Sequence, residues 1–272
     1  MKVRIPTALV LACIACSAAH AGSIIDLVTT EYTEDPPIIG TVEIMTQGKE
    51  SRIEITSVSS NESGGMIYRS DKRELIALDH SIQAYYVFDQ AMMDMMAAQV
   101  RAALEQTEAA LEAMPPEERA LAEQMIQRPA SDDEASRKRA KLVATGKSDT
   151  IAGFKCQYYD VMLSDRKIRD ICMTPWKDIP QGREASSAMM ELADFFERMR
   201  EAFAGSGGLN LMDRQQEMFA YMEELDGYPV LSHDYDVNGE IESESRLQAA
   251  RKEKIDSSMF EPPAGYQQQT LQ

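Results

Sequence analysis

Cys156-Gln157-Tyr158-Tyr159-Asp160-Val161-Met162-Leu163, then Ser164-Asp165-Arg166-Lys167, then Ile168-Arg169-Asp170-Ile171-Cys172, is the stretch whose reading decides the fold. Apolar and polar residues alternate through its two outer parts, the period-two mark of half-buried strands, and the four polar residues between them supply a turn. Folding at that turn brings the two cysteines to nearly opposite positions on neighbouring antiparallel strands, within bridging distance. Two lone cysteines are too few to hold a metal, and no Cys-x-x-Cys spacing marks a redox pair. The reading is a structural disulfide, Cys156 to Cys172.

A disulfide needs an oxidising compartment, and the first residues supply one. Lys2 and Arg4 open the chain, an apolar run follows from Ile5 to Cys16, and Ala19-His20-Ala21 places small residues before Gly22. Charge, grease and small-residue exit in that order predict a signal peptide over 1–21, cut after Ala21, with release to the periplasm. The competing reading is a lipoprotein, since Val10-Leu11-Ala12-Cys13 loosely matches a lipid-attachment box and Cys16 offers a second position. Cleavage after Ala21 reduces the four cysteines to the hairpin pair.

Composition narrows the partners. The 272 residues carry a net charge of −17, and removing Lys2 and Arg4 deepens it by two. So acidic a surface repels phosphate backbones, which excludes nucleic acid and disfavours anionic lipid surfaces.

Working outward from the hairpin, period-two patterns predict strands at 24–32, 41–45, 52–56, 66–69, 74–78 and 83–88, a six-strand meander with one wet face. Asp89 then caps a helix to about Met114, with an apolar stripe of Met92, Met96, Val100, Leu104, Thr107, Leu111 and Met114. Pro115-Pro116 ends it and starts a shorter helix to about Gln127; the polar stretch 129–138 follows. Strand pattern resumes over 141–148 and the cysteine hairpin, and Trp176 is placed over the sheet edge. A second helical block carries Met189, Leu192, Phe196, Met199 and Phe203, then, past Gly205-Ser206-Gly207-Gly208, Leu211, Met218, Met222 and Leu225. Strands at 228–235 and 240–248 flank an Asn238-Gly239 turn, and Phe260 to Tyr266 forms a terminal loop folded back on the sheet. The fold class is α+β: one domain over 22–272, a curved antiparallel sheet of roughly nine or ten strands. Helical insertions at about 89–128 and 183–225 cover its concave face.

Several segments together resemble a known family. Gly40-Thr41-Val42 through Gly48-Lys49-Glu50-Ser51-Arg52-Ile53-Glu54, Leu78-Asp79-His80-Ser81 with Tyr85-Tyr86, and Thr145-Gly146-Lys147 through Phe154-Lys155-Cys156 are similar to domain of unknown function 4412. Trp176, Gly227-Tyr228-Pro229-Val230 and Ser258-Met259-Phe260-Glu261-Pro262-Pro263-Ala264-Gly265-Tyr266 fit its later landmarks, with the helical blocks as elaborations. The resemblance implies an exported bacterial protein whose sheet is an open half-barrel, shaped like the outer-membrane lipoprotein carriers, which hold acyl chains in their concavity. It implies no activity and no catalytic residues.

Function is read from the methionines. Eighteen are present, and many line the two helical blocks. Flexible, polarizable side chains suit surfaces that mould to varied greasy shapes. The candidate surface is Met92, Met96, Val100, Met189, Leu192, Phe196, Met199, Met218 and Met222, for a lipid, an acyl chain or a hydrophobic partner segment. The alternatives are a protein-interaction module built on the helical hairpins, self-association included, and copper handling by Met92-Met93-x-Met95-Met96. Helical geometry counts against copper, because Met93 points about 100° from Met92. No cofactor is expected. Of the two downstream histidines, His80 lies in a turn and His233 beside Asp234 and Asp236 reads as a solvated pair; no nucleophile elbow, phosphate loop or zinc helix appears, so the chain is not read as an enzyme.

Replacing Cys156 and Cys172 together by serine is expected to lower stability by about 3 kcal/mol on the chain-entropy estimate. Urea titration checks this through the transition midpoint.

Overall fold

Alternating apolar and polar side chains carry the chain through six strands before its first helix. They are β1 (Gly22–Glu31), β2 (Ile38–Gln47), β3 (Glu50–Ser57), β4 (Ser63–Arg69), β5 (Glu74–Asp79) and β6 (Ala84–Phe88). Helix α1 (Gln90–Ala113) follows, then β7 (Lys141–Ile151), β8 (Phe154–Leu163) and β9 (Arg166–Pro175). After a 3-10 turn at Trp176–Asp178 come α2 (Gly182–Ala202), α3 (Asn210–Glu224), β10 (Gly227–Tyr235) and β11 (Ile241–Glu253). A second 3-10 turn, Ser257–Phe260, leads to the short β12 (Gln267–Gln269). This computed structural model describes residues 21–58, 63–119, 122, 140–202 and 210–270. The signal peptide, most of the short helix to Gln127, the 129–138 stretch and the Gly205–Gly208 break lie outside the described residues.

The twelve strands among the described residues form one unclosed sheet in the order β12-β6-β5-β4-β3-β2-β1-β11-β10-β9-β8-β7. Two meanders therefore run outward from the pairing of β1 with β11, which matches Gly22 with Glu253 and Glu31 with Ser243 and shifts register between Asp26 and Leu27. The expected nine or ten strands fall short of this count. β12 has no hydrophobic alternation to announce it; Gln267, Gln268 and Gln269 are all exposed, and it is a strand because it runs parallel to β6. The cysteine hairpin closes more tightly than expected. Leu163 faces Arg166 across a two-residue turn in which Ser164 takes φ of 58°, so Arg166 and Lys167 belong to β9. The Cys156–Cys172 disulfide forms, its Cα atoms 5.3 Å apart. Tyr158 is the residue directly opposite Cys172, so the bond runs diagonally across the ladder.

Each face of the sheet has its own cover. On one, Tyr68 and Leu75 pack under α1 and α2 against Met93, Leu192, Phe195, Phe196 and Met199. Their neighbours along the strands point the other way. There Ile24, Met45, Ile67, Ile76 and Leu78 make a second core with Ile255 and Phe260. Phe260 is 1 % exposed, and Arg52 Nη1 donates to the Met259 carbonyl at 2.7 Å. The meander thus lacks the fully wet face expected of it, because the C-terminal tail lies across it. The expected fold-back of that tail is correct, and its extent is greater than the sequence shows.

Trp176 also differs from expectation. It stands in the interior at 2 % exposure, its ring 5.3 Å from that of Tyr228. It follows the end of β9, and β8 and β7 lie between that strand and the nearer edge of the sheet. Residue 182 must be glycine here. A Cβ on it would sit 1.9 Å from the Trp176 carbonyl oxygen, where α2 begins.

Truncating Phe260 to alanine removes the largest side chain of the second core. It is expected to cost about 3–5 kcal/mol, seen as a fall in thermal midpoint with the helical circular dichroism signal retained below it.

Candidate functional site

α1 begins as its sequence predicts. Asp89 Oδ1 accepts from the Met92 backbone N–H at 2.8 Å, and Pro115 stops continuation beyond Met114. Its orientation is not as expected. Only Met93 is buried, at 4 %, whereas Met92, Met96 and Val100 are half-buried and every residue from Arg101 to Ala110 is exposed. The anchoring side chain is therefore the methionine that the predicted stripe leaves out. Leu104 and Met114, at 41 % and 37 %, carry the stripe into solvent, with Met95 at 46 % beside it. Among the described residues no helix is long and apolar enough to cross a membrane.

The second helical block is closed. Ala185, Ala188, Met189, Leu192, Phe195, Phe196 and Met199, which recur once per helical turn on one face, are all buried. Of the α3 candidates, Met222 is buried and Met218 half-buried against the same core. The predicted stripe omits Tyr221, which is 6 % exposed; burial pushes its hydroxyl up to about 12. It omits Phe195 too, although that residue stands three after Leu192 in the same spacing. The nine candidate residues therefore divide. Those of α2 and Met222 fill the space between helix and sheet, and Met92, Met96 and Val100 border solvent.

Polar chemistry concentrates on β9, β10 and β11. His233 Nδ1 lies 2.9 Å from Asp170 Oδ1 and its Nε2 2.9 Å from Glu244 Oε2. Asp170 Oδ2 also accepts from Lys167 Nζ at 3.1 Å and from the Tyr235 hydroxyl. The expected solvated pairing of His233 with Asp234 and Asp236 is thus replaced by cross-strand partners. Successive strand residues point to opposite faces, and Asp234 instead accepts from Arg169 Nε at 2.5 Å. Burial alone would raise the Asp170 carboxyl, but the hydrogen bonds from His233, Tyr235 and Lys167 outweigh it and hold it at about 2. The bond to Asp170 raises the His233 imidazole above its ordinary value; burial opposes this and Glu244 adds to it. His80 is held similarly, with Nδ1 2.7 Å from the Tyr266 hydroxyl and Nε2 2.7 Å from Glu54 Oε2. Both histidines have both ring nitrogens engaged. Among the described residues, no group of three or more His, Cys, Asp or Glu is placed to hold a metal.

Comparison with known proteins agrees with the resemblance. Residues 89–266 match the family described as Domain of unknown function (DUF4412), and the chain belongs to it. The matched span starts at the root of α1, so the segments at 40–54 and 78–86 that suggested the family lie outside it, and both helical blocks, expected to be elaborations, lie inside it. Among solved structures, the chain is similar to an uncharacterized conserved protein from Thermus thermophilus, at 6% identity and a TM-score of 0.43, over 90% of this chain and 88% of that one. It is also similar to MucB in complex with MucA(peri), at 10% identity and a TM-score of 0.38, over 92% of this chain and 57% of that one. A Pseudomonas aeruginosa MucA/MucB complex gives 10% identity and a TM-score of 0.39, over 93% of this chain and 59% of that one. No curated protein matches.

The cluster on β9–β11 gives a pH dependence with two arms. Asp170 is depressed from 3.8 to about 2, so its contribution is present above pH 3.8 and is lost as pH falls toward 2. His233 is raised from 6.5, so its contribution is complete below pH 6.5 and is lost as pH rises through the higher folded value. Urea midpoints measured from pH 3 to 9 should fall at both ends. His233→Gln should flatten the alkaline arm and cost about 1–3 kcal/mol near pH 6.

Proposed function

We propose that this is an exported binding protein, that it binds rather than catalyses, and that its working surface is the outer length of α1, beyond its anchored root. The observation that carries this is the contrast along that helix: its root is anchored by buried Met93, while Leu104, eleven residues on and on the same face, stands in solvent with Met114. An amphipathic helix in a monomer turns its apolar stripe inward, and a stripe left outward marks an interaction surface. Acidic side chains Asp94, Glu105, Glu108 and Glu112 flank the stripe against the single cation Arg101. The complementary occupant is an apolar helical segment of a partner protein with basic flanks. An acyl chain is the other occupant the sequence suggests, and the filled space beneath α2 favours the protein segment over it.

Export and shape belong to the same proposal. The disulfide suits an oxidising periplasm, and β1 starts at Gly22, directly after the cut expected at Ala21. The half-barrel curvature is supported by β11 and β7. Four strand steps separate them, about 19 Å in a flat sheet, yet they approach within 8 Å between Cα atoms.

The test uses two labelled model peptides with the same apolar helical pattern, one carrying lysines and one glutamates on its polar side. The lysine peptide should bind saturably in fluorescence anisotropy, the glutamate peptide should not, and Leu104→Asp should weaken binding about tenfold or more at an unchanged melting temperature. Equal binding of the two peptides, or indifference to Leu104→Asp, refutes the proposal. A tightly held acyl lipid in native mass spectra of the protein from its own host points to the other occupant.

A further inference from the structure

A cavity of about 390 Å³ opens where the β2–β3 turn, the β4–β5 turn, the root of α1 and the side of α2 meet. In a chain of net charge −17 it gathers three cations, Lys49, Arg73 and Arg198, around one carboxylate, Glu191. Glu191 is committed: it accepts from Lys49 Nζ and from Ser70 Oγ at 3.2 Å, and the Lys49 bond holds its carboxyl below its ordinary value. Neither Arg73 nor Arg198 forms an ion pair among the described residues. Arg198 lies with Cζ 5.9 Å above the Phe195 ring and beside the Tyr68 hydroxyl, whose residue is 1 % exposed. Arg73 holds φ of 52°, a left-handed conformation that disfavours any residue with a side chain and gathers at ligand clamps.

We propose that this cavity binds a phosphate group, gripped by Arg73 and Arg198. Guanidinium forks match oxyanions in bidentate fashion. Three cations against one carboxylate leave two positive charges in excess, which suits a dianionic phosphate better than a single carboxylate. Lys49, a surface side chain at 61 % exposure, is able to turn from Glu191 to the ligand. The inference is independent of the α1 surface, since it needs no apolar contact.

The test is calorimetric titration of the full chain in low salt with inorganic phosphate, pyrophosphate and acetate, and, separately, with phosphatidylcholine vesicles with and without phosphatidate. Phosphate or pyrophosphate should bind at about millimolar Kd or tighter, and acetate at least about tenfold more weakly. Arg73→Gln, on an exposed turn, should weaken the binding about tenfold, as should Arg198→Gln. Glu191→Gln should tighten it by removing the competing carboxylate. Binding to phosphatidate vesicles alone, lost in Arg73→Gln, assigns the same site to a lipid headgroup. Absence of binding in every arm, or binding that Arg73→Gln and Glu191→Gln both leave unchanged, overturns the proposal.

Discussion

The pairing of β1 with β11 is the joint on which the architecture depends. The six strands before α1 form one meander and the five from β7 to β11 form another, and this one ladder makes them a single sheet. The joint also positions the covers. β1 carries Ile25 toward the larger core and Ile24 toward the core under the C-terminal tail, so both layers register against the same strand. Its partners lie more than two hundred residues apart in sequence, and contacts of that separation form only after a large entropic loss. The first meander can assemble locally, but it keeps β1 as an open edge until residues 241–253 arrive.

Much of this was legible in the sequence. Apolar and polar residues alternate in β2, β3, β8 and β9 strongly enough to mark them as strands, although burial itself is continuous where both faces are covered, as from Asp170 to Thr174. Asp89 and Pro115 bounded α1, and the spacing of Met189, Leu192, Phe196 and Met199 found the buried line of α2. What failed has a physical reason in each case. β12 is Gln-Gln-Gln and is defined only by hydrogen bonds to β6. In α1, methionines at 92, 93, 95 and 96 spread over about 160° of the helix, so composition cannot say which one faces inward. The packing of Phe195 and Phe196 decides it for Met93.

The polar clusters were illegible for another reason. Asp170, His233 and Glu244 are adjacent only through the registers of β9 with β10 and of β10 with β11. Sequence neighbours suggested Asp234 and Asp236 instead, and strand geometry turns Asp234 to the opposite side. The same holds for the cationic cavity, whose arginines come from a turn and a helix 125 residues apart in the chain. Charge reversal of this kind, local and opposite to the overall sign, emerges only when the elements are placed.

The two borders of the sheet bear on behaviour in crowded solution. An unpaired strand offers its amides and carbonyls to other chains and so invites stacking into aggregates. At one border β12 lies along β6 as a short, wholly polar strip. At the other, β7 loses its regular pairing between Ala144 and Ser148, where Gly146 takes φ of 73° and Lys147 is exposed. A twelve-stranded open sheet is thereby denied a long, flat, greasy rim, and the molecule is guarded against zippering edge to edge with its own copies.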